Sequence, residues 1–272
     1  MTKWAVESFN PFLTASGRAV IAAIPAILLL RIFRVPLFQR KHLRAYIYTT
    51  MGAAFGWPIL VALALTRTTS TQTAVVASIM PLVTAMIAVT RKHERVSKLF
   101  WIASAAGTII LLLFTISRGG GAKHDLLADL FVLIAVLFSA WTYVEGAELT
   151  RIYPGWQVIS WVVVLALPIN LPLTIFIWIK TSHTHHITTH GLIGIFVIGL
   201  SSMYLGFFAW YKGLADAGTA RGSQIQQLQG LLTLGWSVLL LKEHVSLGTL
   251  LSAIGVVLTV LWALSTRTKQ SI

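Results

Sequence analysis

The sequence predicts an all-α membrane protein, an inverted-repeat helical bundle that crosses the bilayer nine times. Three observations predict it. Of 272 residues, 56% are hydrophobic and only 11% charged, with a mean hydropathy of +0.80, whereas a soluble domain carries roughly 25% charged residues. Apolar stretches close to the ~20 residues that a bilayer-spanning helix needs follow one another along the chain and leave almost no room for a soluble domain. The chain also repeats its own pattern at an internal offset of 149 residues, which signals duplicated architecture.

The offset is read from residue 62 onward. Ala62-Leu63-Ala64-Leu65 lies on Tyr211-Lys212-Gly213-Leu214, Thr84 on Thr233, Glu94 on Glu243, Val96 on Val245 and Ser97 on Ser246. One deleted residue later, Ala103 to Gly107 runs beside Leu251 to Gly255. The hydrophobic blocks and the charged break agree in order and spacing, although few residues are identical.

The spans follow in order. The first runs from about Pro11 to Phe33 and carries Arg18 and Pro25, and a basic loop follows with Arg31, Arg34, Arg40, Lys41 and Arg44. The second, near Tyr46 to Leu65, contains Trp57-Pro58. A short turn at Arg67 to Gln72 leads to the third, near Thr73 to Thr90, interrupted by Pro81, and Arg91-Lys92-His93-Glu94-Arg95 closes that hairpin. The fourth is Leu99 to Ser117. Gly119-Gly120-Gly121 then makes a flexible connector. The fifth span, Leu126 to Val144, ends in Glu145 and Glu148. The sixth, Trp156 to Ile179, holds Pro168 and Pro172; Pro154 and Pro168 are fourteen apart, as are Pro11 and Pro25. A histidine-rich loop, His183 to His190, precedes the seventh span at Leu192 to Tyr211, with the eighth at Ser223 to Leu241 and the ninth at Leu247 to Leu264. The expected domains are a first repeat over 1–118, a connector over 119–125, a second repeat over 126–265 and a cytoplasmic tail over 266–272.

Charge sets the orientation. Lys and Arg number fourteen on the side of the first loop and six on the other, with Arg18 left inside a span. The positive-inside rule then places the carboxyl terminus in the cytoplasm and this amino terminus outside, and the expected location is the cell inner (plasma) membrane. Equivalent spans lie five apart, an odd number, so the two copies are inverted, an arrangement that secondary carriers use to expose one midplane site to either face. The formal net charge of +13 sits in short loops, so nucleic-acid binding is not expected. Without cysteine there is no disulfide framework or thiolate metal site.

The two hairpin-closing patterns, Pro81 through Arg91-Lys92-His93-Glu94-Arg95-Val96-Ser97 and Gly230 through Leu241-Lys242-Glu243-His244-Val245-Ser246, are each followed by a span with Gly107 or Gly255. With Tyr143-Val144-Glu145-Gly146-Ala147 and Gly155-Trp156-Gln157, they resemble the EamA-type branch of the drug/metabolite transporter (DMT) superfamily. That resemblance covers nearly the whole chain. It implies a ten-helix fold of five plus five and export of small metabolites, often amino acids or related compounds. Here the first copy shows four spans, so the leading helix of that pattern is missing from it.

The candidate substrate-binding residues are polar or aromatic groups inside apolar spans, where an unsatisfied polar atom is costly. At 100° per residue, Gln226, Gln229, Thr233, Trp236 and Ser237 share one arc of the eighth span, with Leu228, Leu231 and Val238 opposite. Such an arc reads either as a cavity wall that hydrogen-bonds a substrate or as interhelical glue, and the cavity reading is taken for Gln229 and Thr233. Gln224 and Gln227 fall with the leucines and are expected at the interface. Tyr204 and Trp57 lie away from span ends and are assigned to the cavity, whereas Trp156, Trp178 and Trp210 read as interfacial belt residues. Glu145, on one face with Trp141 and Glu148, is the candidate for proton coupling, with pairing to Arg151 as the plainer role. Arg18 either snorkels outward or attracts a carboxylate in the site. His183, His185, His186 and His190 lack acidic or thiolate partners, so no metal and no cofactor are expected.

The function expected is export of a small polar metabolite by alternating access. A non-transporting scaffold or sensor subunit is the alternative. An intramembrane enzyme is poorly supported, because the chain has no G-x-S-x-G, no H-E-x-x-H and no acidic dyad inside a span. The expected partners are a small-molecule substrate and the lipid bilayer, with a homodimer allowed.

Overall fold

The computed structural model describes residues 5, 8–68, 70–117, 125–181, 187–229, 232 and 247–266. Among these, every regular element is helical. We number the helices by span: α1 Pro11–Ile32, α2 Arg40–Leu65, α3 Gln72–Lys92, α4 Lys98–Ser117, α5 Leu126–Thr150, α6 Gly155–Thr181, α7 Thr189–Ala217 and α9 Leu247–Ser265, with α8 described at its start, Thr219–Gly222 and Ser223–Gln227. Six of them (α1, α2, α3, α5, α6 and α7) are long and apolar enough to cross a membrane, and α4 and α9 contribute shorter apolar segments.

Local chemistry sets the ends. Asn10 caps α1 by accepting from the Phe12 amide at 2.9 Å, with Pro11 in the first helical position, where its missing N–H costs nothing. Asp125 caps α5 by accepting from Leu127 and Ala128 at 3.0 and 3.1 Å. Thr188 does the same for α7 through Gly191. His93, in the left-handed region at φ 55°, stops α3. The fifth helix continues to Thr150 rather than ending at Val144, so Glu145 and Glu148 lie inside it. Nothing breaks the helix there until Pro154 restricts the residue before it.

Contacts divide the chain into two compact units, residues 1–63 with 141–215 and residues 64–140 with 216–272. Each unit combines spans from both halves of the sequence. In the first, α1 lies along α6 and against α7, while α6 also packs on α2. Lipid-embedded helices gain little from burying apolar surface against each other, so close packing by small residues carries the association. Ala19, Ala22, Ala23 and Ala26 form such a face on α1, buried with Val158, Val162, Val163 and Ala166 of α6. Thr142 donates to the Thr49 carbonyl and Thr50 to that of Val162, so these hydroxyls are the interhelical glue. In the second unit, α4 lies along α9 and α3 against α8.

Four spans depart from α-helical geometry, in two matched pairs. Met51–Gly56 of α2 and Ile198–Leu205 of α7 are π-helical; shifting the first by the offset of 149 puts it at 200–205, inside the second. In α3 the helix breaks between Ala77 and Met80, and the same shift lands on 226–229, where the 3₁₀ turn Ser223–Gln227 ends. The duplication therefore extends to irregularities of the backbone.

Candidate functional site

The start of α8 carries a buried polar cluster in the second unit. A 3₁₀ turn has three residues per revolution, so side chains at i and i+3 eclipse. Gln224 and Gln227 therefore stack on one side and turn inward, 0% and 1% exposed, while Ile225 between them faces out. Gln227 Nε2 donates to Gln224 Oε1 at 2.8 Å. Gln224 Nε2 and Ser223 Oγ both reach the carbonyl of Pro81, at 3.2 and 3.1 Å, just past the break in α3. Gln227 Oε1 is buried without a hydrogen-bond partner. It lies against Gly107 of α4, where a methyl group would collide with it and stand 2.7 Å from Thr259 Oγ1.

This corrects the expectation that Gln224 and Gln227 are interfacial. The arcs were drawn at 100° per residue, and the turn here advances about 120°, so the two glutamines rotate into the core. Gln226 is half-buried, with Nε2 3.6 Å from Met80 Sδ and Oε1 buried without a partner. Gln229 is exposed, and Leu228 half-buried. Thr233 and Trp236 lie outside the described residues, as do Ser237, Leu231, Val238, Glu243, His183, His185 and His186.

In the first unit, Tyr204 sits inside the π-helical segment of α7 and is 1% exposed. Its hydroxyl lies 2.6 Å from Ser160 Oγ, which donates to the Trp156 carbonyl at 2.6 Å. Tyr204 is thus the donor to Ser160, and in this conformation its one proton is committed within the core. Trp57 is half-buried directly after the π-helical segment of α2. Tyr204 and Trp57 are therefore each tied to one member of the matched irregular pair. Of the belt tryptophans, Trp210 packs edge-on to Tyr143 and Trp156 against Phe33. An apolar groove of about 350 Å³ beside Pro25, Leu29 and Leu200 has no polar lining and suits no polar solute.

Glu145 is 3% exposed, next to Gly146, over which the buried ring of Tyr211 packs so closely that a methyl group would overlap it. Glu148 forms an ion pair with Arg151 at 2.9 Å.

The hairpin-closing Glu94 acts as a helix cap. Its carboxylate accepts from the Thr219 and Ala220 amides at 2.9 and 2.8 Å, capping the start of α8, where Gly218 adopts φ 83°. A negative charge at a helix N-terminus meets both its free N–H groups and its dipole.

Sequence reasoning missed Asn170. It lies near the middle of α6 between Pro168 and Pro172, is 1% exposed, and neither amide atom has a partner. A lone amide flanked by prolines inside an apolar run was the available signal.

Comparison with known proteins agrees with this architecture. The model of the EamA-like transporter family matches residues 1–116 and 126–265. Uncharacterized transporter YdeK of Bacillus subtilis (strain 168) is 36% identical over 259 residues, spanning 95% of this chain and 89% of that protein. A solved crystal structure superposes with a TM-score of 0.78 at 15% identity, covering 93% of this chain and 88% of the other, which speaks to the fold alone. With a helical membrane bundle, apolar spans and a family match along nearly its full length, the chain is a multi-pass membrane transporter and belongs to the EamA-like transporter family.

Proposed function

We propose that this transporter exports a small polar metabolite by alternating access, with the start of α8 forming part of the substrate path. The observation that carries the reading is the matched pairing of backbone irregularities, 51–56 with 198–205 and the α3 break with the 3₁₀ turn of α8. Discontinuous helices at corresponding positions of two copies mark binding sites in carriers, because freed backbone groups serve the solute and the segments hinge there. Gln229 supports it further. An exposed amide inside a span is costly against lipid and comfortable against a water-filled cavity.

In this proposal Gln229 and Gln226 line the path, while Gln224, Gln227 and Gly107 hold the turn in shape. Within the other unit, Tyr204 fixes the π-helical segment through Ser160. The amino terminus faces outward and the Arg31 to Arg44 loop faces the cytoplasm.

Metabolite profiling of cells with and without the chain tests this. Expression is expected to lower the cell content of at least one small polar metabolite and raise it outside. Gln229→Leu removes the hydrogen bond at similar bulk and is expected to weaken the interaction by roughly 1 kcal/mol, about fivefold in affinity. Unchanged profiles with the protein folded in the membrane would favour a scaffold instead.

A further inference from the structure

We propose that Arg18 of α1 and Asn170 of α6 form a carboxylate-binding site within the first compact unit, so that the exported solute carries a carboxylate; this rests on the carrier reading above. Arg18 lies seven residues inside α1, about 10 Å below its start. A snorkelling arginine would reach back to that end. Here Nε is buried without a hydrogen-bond partner. The residue as a whole is half-buried. Among the described residues no carboxylate pairs with it.

The register of α1 on α6 brings Asn170 to the same level. A methyl group on Gly17 would touch Thr174 at 3.9 Å, and one turn further along α6 the Trp178 ring lies 6.1 Å from that of Phe9. The helices run antiparallel in this contact, so Asn170, one turn before Thr174, lies opposite the turn that follows Gly17. Asn170 Nδ2 and Oδ1, Thr14 Oγ1 and Thr174 Oγ1 are all buried without partners. A cluster of unsatisfied polar atoms beside an unbalanced cation is expensive when empty. A carboxylate fits it: the guanidinium offers paired donors, and the amide N–H and the two hydroxyls supply more. Asn170 Oδ1 is then left to accept from a donor on the solute.

The test uses the purified full chain and its tryptophan fluorescence on heating. Acetate, lactate and alanine are compared with their primary amides, with inorganic phosphate as the other anion. Protection by carboxylates and not by the amides, lost in Arg18→Gln and partly kept in Arg18→Lys, supports the site. Equal protection by the amides, protection unchanged in Arg18→Gln, protection by phosphate alone, or no protection by any carboxylate overturns it. Asn170→Asp guards against simple misfolding of Arg18→Gln. It supplies a carboxylate beside the guanidinium, so it is expected to melt higher than the parent and to ignore added carboxylates; a lower melting point with protection retained would count against the site. Export profiles separate this inference from the reading beneath it. Export of a solute without a carboxylate sinks the inference and leaves the carrier standing, whereas no export of any solute sinks the carrier.

Discussion

Removing the Glu94 carboxylate should loosen the start of α8 by an amount the structure bounds. Glu94→Ala deletes two hydrogen bonds, to the amides of Thr219 and Ala220 at 2.9 and 2.8 Å. Loss of an N-terminal cap costs about 0.5–2 kcal/mol, and loss of a negative charge at the positive end of the helix about 0.3–1 kcal/mol. The site is half-buried, so water relieves part of the loss, and the total expected is about 1–3 kcal/mol. Glu94→Gln keeps one acceptor oxygen without the charge and should lose about half of that. For a chain of this size 1 kcal/mol corresponds to about 2–4 °C in melting temperature. The assay is melting in detergent by tryptophan fluorescence, paired with hydrogen exchange of the Thr219 and Ala220 amides. The order parent, Gln, Ala in both readouts is expected. An Ala variant that melts with the parent and keeps both amides protected would refute the assignment of Glu94 as the cap.

Three further outcomes follow from the geometry. Gly146→Ala pushes a methyl group into the buried Tyr211 ring and should destabilise by about 1–3 kcal/mol, measured by melting; Gly213→Ala, which meets nothing within 4 Å inside a helix, is the control and should melt slightly above the parent, by about 0.5–1 kcal/mol of helix propensity. Tyr204→Phe removes the donor to Ser160 while Ser160 keeps its bond to Trp156, so the loss should be about 0.5–1.5 kcal/mol, and Ser160→Ala in the Phe background should add little. The Asp125 carboxyl is held below its ordinary value, first by the Ala128 amide and then by the Arg67 guanidinium and the Leu127 amide, with Arg67 Nε 2.9 Å away. A depressed carboxyl stabilises the fold above its unfolded pKa and loses that contribution as pH falls through the folded one; the melting difference between the parent and Asp125→Asn should therefore be present at neutral pH and vanish in acid. A difference that persists or grows in acid would contradict the cap.

Much of the fold was legible because a bilayer imposes simple rules. Apolar length located the spans, and the described helix ends lie within a few residues of where hydropathy put them, except that α2 begins, and α5 and α7 end, six residues beyond the expected bounds; α5 thereby carries Glu145 and Glu148 inside it. The internal offset, extended upstream of residue 62, pairs the two π-helical segments once they are seen, although the sequence alone did not mark them. What the pattern could not carry was local helical pitch. A hydropathy arc assumes α-helical geometry, and the 3₁₀ turn at Ser223–Gln227 moved Gln224 and Gln227 from the surface to the core. Glu94 was legible as a hairpin acid, but its partners lie 125 and 126 residues downstream, beyond any local signal. Asn170 was overlooked because one amide hardly alters the mean hydropathy of a 27-residue helix, though its two unpartnered atoms stand out once the helix is folded.

The account stands most directly on whether the α8 wall meets water from each side of the membrane in turn. Gln229→Cys supplies the only thiol in a cysteine-free chain, and membrane-impermeant thiol reagents can be applied to right-side-out and inverted vesicles. Alternating access requires labelling of that cysteine from both faces, slowed from both by an exported solute. Labelling from one face alone under every condition, or none from either with the protein folded, would contradict it.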